Sequence, residues 1–221
     1  MPPTLPLTGV IINFRTPDLL RSAACSFRAF YPATPLLMID NGSGDQSVDV
    51  IHQLCARSPD TTHALINSRN IHHGPAMDQA LRSLATTYVL FLDSDCEIKR
   101  GGLLERMVSE AQHDEKFYAA GKKIFMNRRG FDIPEVPGAY PYIRPICMLV
   151  HRERYLHLPP FERHGAPCLA NMRRAVEEGL SLTHIPVEEY IVHRGRGTAS
   201  VHGYRLGIRG RLNHFLNRLG L

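Results

Sequence analysis

The first hundred residues alternate between short apolar runs and segments whose apolar residues recur at helical spacing, and this alternation restricts the fold most strongly. Short apolar runs bounded by turn residues are typical of buried strands, whereas spacings of three and four are typical of helices. We predict strands at Gly9–Phe14, Leu36–Asp40, His63–Ile66 and from Tyr88 onward, with helices after the first, third and fourth. This order favours an α/β fold, namely one domain with a mostly parallel central sheet and helices on both faces.

The residues after the first predicted strand carry a helix-start signal. Thr16 is expected to be the N-cap, and Pro17 suits the first helical position because its fixed φ is already helical.

The second half of the chain is less regular. Residues 117–142 mix short apolar runs with Gly, Pro and Arg, which predicts an active-site loop region, and 143–150 again suggest a strand. Residues 168–178 predict a helix that ends at Gly179 and buries three apolar residues, Leu169, Met172 and Val176.

Composition restricts the class of protein further. The chain has 221 residues, a formal net charge of +5 and no apolar run near the roughly 18 residues that cross a bilayer. The amino terminus lacks the basic segment of a secretory signal. Five cysteines without a C-x-x-C pair argue for reduced thiols and against a zinc module. These features predict a cytoplasmic protein, with a peripheral position at the inner face of the membrane as the alternative.

The positive charge favours anionic partners. It is concentrated from Arg194 onward, where the basic residues are interleaved with only two aromatic residues, Tyr204 and Phe215. Nucleic-acid binding is therefore disfavoured. Residues 204–221 have an apolar stripe flanked by arginines, which predicts either a helix docked on the domain or a basic amphipathic helix on anionic lipid.

Two carboxylates one residue apart, Asp93 and Asp95, end the strand that begins at Tyr88, and Asp40 ends an earlier strand. Open α/β sheets bind ligands at the carboxyl ends of their strands. The sequence has neither G-x-G-x-x-G after the first strand nor G-x-x-x-x-G-K, so a phosphate group would need another partner. Mg²⁺ or Mn²⁺ on carboxylates fits that need. An Asp-rich turn that caps the next helix is the alternative.

Four segments in series, VIINFRTPDLL, LLMIDNGSGD, SRNIHHGPAMDQAL and YVLFLDSD, resemble the amino-terminal half of family-two glycosyltransferases of the GT-A fold. The resemblance implies a nucleotide-sugar-binding half at 8–107, an acceptor and catalytic half at 108–203, and a basic tail at 204–221. It also implies metal-dependent transfer of a hexose from a nucleotide-diphosphate sugar, with Mn²⁺ or Mg²⁺ as cofactor. The acceptor would be a hydroxyl of a glycan, a lipid-linked molecule or a small molecule.

The same resemblance implies roles for individual residues. Asp93 would hold the ribose or a metal-bound water, Asp95 would ligate the cation, and His193 in the late V-x-H element would be a further ligand. The other donor-binding positions would be Asn13, Arg15, Asp40, Arg69, Asn70, Arg194 and Arg196, with Asp40 accepting a hydrogen bond from the nucleobase.

The sequence departs from the family pattern at the catalytic base. Pro167 and Cys168 stand where inverting members carry an acidic pair, and a thiol is a poor base. Glu162 and His164 lie just upstream and are the candidate replacements for an inverting reaction. Two other readings stay open, a donor-binding protein that lost transfer and, less favoured, a D-x-D phosphatase or phosphotransferase. The latter would need Thr or Val at Glu97.

Overall fold

The computed structural model describes residues 5–162 and 165–195 of the chain. Within that part, strands and helices alternate through the first half, as expected. The elements are β1 Leu7–Asn13, α1 Pro17–Phe30, β2 Leu36–Asp40, α2 Ser47–Arg57, β3 Thr62–Ile66, α3 His73–Ser83, β4 Tyr88–Asp93, β5 Cys96–Ile98, α4 Leu103–His113, β6 Phe117–Met126, β7 Asp132–Ile133, β8 Tyr140–His151, α5 Arg152–Leu156, α6 Leu169–Glu177, β9 Ser181–His184, a 3₁₀ turn Val187–Glu189, and β10 Ile191–His193.

Eight strands form one central sheet in the order β3-β2-β1-β4-β8-β6-β7, with β9 beside β6. β3, β2, β1 and β4 are parallel neighbours, whereas β8 runs antiparallel to both β4 and β6. The chain crosses from one side of β1 to the other between β3 and β4, which creates a switch point at the carboxyl ends of these strands. β5 and β10 form a separate two-stranded ribbon.

Helices cover both faces of the sheet because the central strands are apolar on both sides. In β1, Leu7 and Ile11 join a core with residues of α1, α2 and α4, while Val10 and Ile12 join a second core with α3 and α6. Each fully buried large apolar side chain contributes about 1.5–3 kcal/mol. The predicted α/β class, with a mostly parallel sheet between two helical layers, is confirmed.

The prediction of an irregular loop region over 117–142 was wrong in its first part. Residues 117–126 form β6, which is buried at its start and lies inside the sheet between β8 and β9. A register shift between Gly121 and Lys123 interrupts its pairing with β8. Gly121, Lys122 and Lys123 lie at this irregularity, and because such residues are unusual inside a strand the sequence pattern predicted a loop.

The inward face of α6 also differs from the prediction. Met172 is fully buried, but Val176 is 39% exposed, and Asn171 and Ala175 are buried instead. Asn171 accepts a hydrogen bond from the Tyr118 hydroxyl and donates one to the Pro159 carbonyl at 2.7 Å. Because these bonds satisfy the amide, the helix can bury a polar residue that an apolar pattern assigns to the surface.

Candidate functional site

Three predicted site residues meet at one edge of the sheet because their strands are parallel neighbours. Asn13 pairs in register with Asp40, and Ile12 pairs with Asp93. The carboxyl ends of β1, β2 and β4 therefore lie side by side. We call this edge, formed by Asn13, Asp40 and Asp93, the rim.

Asp40 is buried at the rim, where its carboxylate oxygens accept hydrogen bonds from Ser43 in the loop that follows β2 and from Asn13 at the end of β1. One oxygen accepts from the Ser43 backbone N–H at 2.9 Å, and the other accepts from the Ser43 hydroxyl and from the Asn13 amide at 3.3 Å. Asp40 is only 1% exposed. In this structure its carboxylate holds the turn in shape, and its expected contact with a nucleobase stays a prediction.

Arg15 follows β1 in a backbone conformation that L-residues rarely adopt, with φ of 58°. Ser43 stabilises it, because the Arg15 N–H donates to the Ser43 hydroxyl at 2.9 Å and its Nε donates to the Ser43 carbonyl at 3.1 Å. The guanidinium lies over the Phe14 ring, 5.1 Å from its centroid. Strained residues of this kind concentrate at binding sites.

Thr16 occupies the predicted N-cap position of α1, but its hydroxyl makes no cap hydrogen bond. The hydroxyl donates instead to the Asn13 side chain at 2.8 Å and lies 3.3 Å from the Ser94 hydroxyl. Thr16 thus links the end of β1 to the turn between Asp93 and Asp95.

Asn41 joins the loop after β2 to the loop before α3. Its side-chain oxygen accepts from the Ile71 N–H at 3.1 Å, and its amide donates to Asn70 at 3.2 Å. Beside it, Gly42 has φ of +74°, and a Cβ there would lie 2.2 Å from the Arg69 carbonyl carbon. Only glycine fits both constraints. Arg69 is exposed at this junction and Asn70 is half-buried. Because Asn41 follows Asp40 in the chain, its bonds to this loop hold both residues near the rim.

Asp95 and His193 converge although they are far apart in sequence. β10 runs antiparallel to β5 with His193 opposite Cys96, which places His193 Nε2 3.3 Å from Asp95 Oδ2. The Asp95 side chain is 8% exposed and that of His193 is 41% exposed. A carboxylate and an imidazole that meet in this way are suitable ligands for Mn²⁺ or Mg²⁺.

Asp93 lies beside this pair. Burial and the neighbouring charge of Asp95 raise the pKa of the Asp93 carboxyl to about 7, while the nearby His193 acts in the opposite direction. On its other side Asp93 Oδ1 is 3.7 Å from His73 Nε2, and burial lowers the pKa of His73 to about 4. A bound cation at this position would favour the ionised form of Asp93.

Cys96 is the third group near a possible cation, since its sulfur lies within 4.8 Å of ligand atoms of Asp95 and His193. It is fully buried in the core beneath α1 and α4. Burial raises the pKa of its thiol far above the usual range. The thiol therefore acts as a small apolar core group, and the donor set is left with oxygen and imidazole ligands.

Arg194 does not lie free beside the rim. Its guanidinium makes a two-point contact with Glu97, at 2.7 Å and 2.9 Å. Its backbone N–H donates to the Asp95 carbonyl at 2.9 Å. Two-point binding of a diphosphate through Nε and Nη2 of this arginine would require the pair with Glu97 to open.

Glu162 is exposed and lies in a cavity of the second half of the chain. Its backbone packs on the first turn of α3, where a Cβ on Gly74 would be 1.6 Å from the Glu162 carbonyl oxygen. Pro167 and Cys168 are buried nearby, and burial raises the pKa of the Cys168 thiol far above its usual range. Glu162, in contrast, is exposed and carries a carboxylate.

Comparison with known proteins assigns the chain to a family. The model of glycosyl transferase family 2 matches residues 9–180, which is most of the chain.

The chain belongs to glycosyl transferase family 2.

No curated protein sequence matches this family-2 chain. Solved structures that resemble it include the mannosyltransferase PcManGT from Pyrobaculum calidifontis with GDP-Man and Mn²⁺, at 12% identity and a TM-score of 0.63. GalNAc-T7 with UDP, GalNAc and Mn²⁺ is 11% identical with a TM-score of 0.70, and residues 1–349 of S. aureus TarS are 15% identical with a TM-score of 0.58. Each match covers 84% of this chain but only 56%, 43% and 59% of the other chain. The chain thus spans about half the length of these relatives.

These likenesses confirm the GT-A fold and the family that the four sequence segments indicated. Two candidate site residues of the family-2 chain, His164 and Arg196, and the tail 204–221 lie outside the described residues. In the part of the chain that the structure describes, no helix has both the length and the apolar character needed to span a membrane.

The structure adds four residues that the sequence did not single out for this family-2 site: Ser43, Ser94, Thr16 and His73. Ser43 belongs to the D-N-G-S segment, and this motif was a sequence signal that could have placed it in the site beside Asp40. The other three depend on contacts between separate elements. A local sequence pattern does not predict such contacts.

Proposed function

We propose that this chain transfers a hexose from a nucleotide-diphosphate sugar to an acceptor hydroxyl, with Mn²⁺ or Mg²⁺ held by Asp95 and His193. The observation that carries the proposal is the 3.3 Å approach of these two side chains beside Asp93 at the rim. Family membership supports glycosyl transfer. The Mn²⁺ in the complexes of PcManGT and GalNAc-T7, each with a nucleotide ligand, supports the use of a divalent cation.

A divalent cation at this position would supply Lewis-acid charge to the diphosphate oxygens of the donor. Asp95 and His193 would fix its position, and Asp93 would bind the donor ribose. Asn13 and Asp40 would keep the loop after β2 rigid through Ser43, while Arg15, Arg69 and Asn70 would border the nucleotide. Rigid placement of donor and acceptor lowers the barrier, since the reacting atoms need not be ordered again at each turnover.

In an inverting reaction the acceptor oxygen attacks the anomeric carbon from the face opposite the leaving group. The bond from acceptor oxygen to anomeric carbon forms while the bond to the diphosphate breaks, and the nucleoside diphosphate leaves with the electron pair. Glu162 would take the proton of the acceptor hydroxyl. Its exposed carboxylate supports this role, and the buried thiol of Cys168 argues against the cysteine as the base.

A second candidate function is donor binding without transfer. One specific observation favours it: the positions of the usual acidic pair are taken by Pro167 and Cys168, both buried. Slow hydrolysis of a bound nucleotide sugar would separate the candidates. The reaction requires the rim and its cation, whereas a protein that only binds leaves the donor intact.

The test of the proposal is a thermal-shift series with UDP, GDP, ADP and CDP, each with and without Mn²⁺. Ligands that bind the folded state raise the melting temperature. We expect one nucleotide to stabilise the wild type strongly and only with Mn²⁺, and Asp95→Asn to lose that response. Asp60→Asn, which changes an exposed acid in the loop between α2 and β3, is the control. No stabilisation of the wild type by any nucleotide with Mn²⁺ or Mg²⁺ would refute the proposal.

A further inference from the structure

A cavity of about 350 Å³ lies in the second half of the chain, between the turn that joins β6 to β7 and the start of α6. Three arginines and one acid face it. Its polar and aromatic lining consists of Arg128, Arg129, Tyr140, Glu162 and Arg173. We call it the arginine pocket.

The turn that carries two of these arginines has a defined shape. The Gly130 N–H donates to the Asn127 carbonyl at 2.9 Å, and the Asn127 side chain accepts from the backbone N–H groups of Arg129 and Phe131 at 2.9 and 3.1 Å. Gly130 has φ of +81°, and a Cβ there would come within 3.1 Å of the Ala166 Cβ. The turn is thus packed against the segment before α6, so the positions of Arg128 and Arg129 are fixed relative to Glu162.

The charges in the arginine pocket are unbalanced. Arg173 has partners, since its Nε donates to Glu177 at 2.8 Å and its guanidinium lies over the Tyr140 ring at 5.0 Å. Among the described residues, neither Arg128 nor Arg129 makes a salt bridge, and neither does Glu162. Among the described residues that line the pocket, the three arginines thus outnumber the one acid, Glu162, and two of the guanidinium groups have no salt-bridge partner. Guanidinium groups suit phosphate because their fixed N–H donors match its oxygens.

The pocket and the rim share a wall. The backbone of Glu162 packs against Gly74. His73, the residue before Gly74, has its Nε2 atom 3.7 Å from Oδ1 of Asp93. Glu162 therefore lies between the arginines on one side and the first turn of α3 on the other. A molecule held by Arg128 and Arg129 could extend a hydroxyl past Glu162 toward the rim.

We propose that the acceptor carries a phosphate ester and that Arg128 and Arg129 bind this group, with Arg173 beside them. A phosphomonoester has a charge of about −1.5 to −2 at neutral pH, which matches the two unpaired guanidinium groups. The phosphate serves to orient the acceptor and takes no part in the bond changes: the neighbouring hydroxyl attacks the sugar and passes its proton to Glu162. This inference rests on the proposed function, because it names the substrate class of the same site.

The experiment compares the wild type with Arg128→Gln/Arg129→Gln, using glycerol 3-phosphate and glycerol as soluble probes in calorimetric titrations. Vesicles of phosphatidylcholine with and without phosphatidic acid provide the lipid arm, measured by co-sedimentation. The matched control is Arg82→Gln/Arg174→Gln, which removes the same two charges from exposed helix positions where each arginine pairs with an acid four residues away. Melting temperatures report whether each variant folds.

We expect the wild type to bind glycerol 3-phosphate or phosphatidic acid vesicles, and to bind neither glycerol nor vesicles of phosphatidylcholine alone, which carry no phosphomonoester. The double variant of the pocket should weaken that binding at least about tenfold, and the control should change it less than twofold. If the variant loses binding in the titration, the natural phosphate ester is a soluble molecule. If it loses binding to the vesicles, the phosphate ester is a lipid. Equal binding by the wild type and the pocket variant in both arms would overturn the inference.

Stabilisation by nucleoside diphosphate and Mn²⁺ is measured on the same variants. If the pocket variant keeps the full nucleotide response while losing phosphate binding, the arginines serve the acceptor as inferred. If it loses the nucleotide response, they serve the donor and the inference is wrong, although the proposed function survives. If the wild type itself lacks a nucleotide response, the proposed function fails independently of the phosphate result.

Discussion

The carbonyl oxygen of Glu162 lies so close to Gly74 that a Cβ on this glycine would be 1.6 Å away from it. The contact is between backbone atoms, which cannot rotate aside as a side chain can. It sets the distance between the loop that carries Glu162 and the first turn of α3.

Gly74→Ala should therefore destabilise the protein by about 1–3 kcal/mol and displace the Glu162 loop, because a forced contact in a packed region shifts the backbone. Urea denaturation measures the loss, and donor hydrolysis measures the displacement. Gly101→Ala is the control, since its Cβ would meet Phe30 at an ordinary 3.6 Å. Equal stability of the two variants would contradict the close packing.

Asn41→Ala removes the side chain that ties the loop after β2 to the loop before α3. Leaving buried backbone groups without partners costs about 1–3 kcal/mol, and the loop with Arg69 and Asn70 should become less ordered. We expect a lower urea midpoint and weaker nucleotide binding. Gln53→Ala, which removes an exposed side chain that accepts a hydrogen bond from Arg21 at 3.0 Å, should change neither property. Unaltered nucleotide affinity in Asn41→Ala would separate this loop from the donor site.

His193→Ala should abolish stabilisation by Mn²⁺ with nucleotide and reduce transfer at least about 100-fold, because even residues that only support a metal ligand contribute 10–100-fold. Fluorescence-monitored melting and a radiolabelled-donor assay measure the two effects. His113→Ala, at the exposed end of α4, is the matched histidine control. A normal Mn²⁺ response in His193→Ala would exclude this imidazole from the cation site.

Glu162→Gln keeps the size of the side chain and removes its ability to take a proton. Transfer should fall by about 10²–10⁴-fold, which is the usual contribution of a general base, while nucleotide binding stays as in the wild type. Glu135→Gln, an exposed acid in the loop between β7 and β8, serves as control. Transfer at the wild-type rate in Glu162→Gln would assign the base to another residue.

Asn171 and Tyr118 should be coupled in stability, since the Tyr118 hydroxyl donates to the Asn171 side chain inside the core. Tyr118→Phe leaves the Asn171 side-chain oxygen without this partner, and Asn171→Ala removes the partner of both the Tyr118 hydroxyl and the Pro159 carbonyl. Each lost partner should cost about 1–3 kcal/mol. The double variant should lose less than the sum of the two, and a denaturation cycle over all four proteins gives the difference. Additive losses would indicate that the bond contributes nothing.

The first four strands could be predicted from the sequence to within about two residues, because their signals are local, whereas α2 and β5 were not predicted. β2 begins at Leu36 and ends at Asp40 as expected, and the apolar run before Asp93 is β4, which is parallel to β1. Parallel order alone then brings Asn13, Asp40 and Asp93 to one edge.

The remaining features depend on interactions that no short segment contains. Asn171 is buried only because Tyr118 and Pro159 provide hydrogen-bond partners from other elements. The contact of His73 with Asp93 arises where α3 packs against the sheet. The lysines of β6 are typical of a loop, yet the pairing of both of its edges holds them in a strand.

The ribbon of β5 and β10 has a consequence for the biosynthesis of the protein. Glu97 and Arg194, which pair across it, are 97 residues apart. Pairing over such a separation must await the emergence of the later segment from the ribosome, and closing the intervening loop costs chain entropy. A nascent chain that has built β1 to β4 thus still lacks His193, one of the two proposed cation ligands. If the proposal holds, affinity for the cation arises as one of the last events of the protein's maturation.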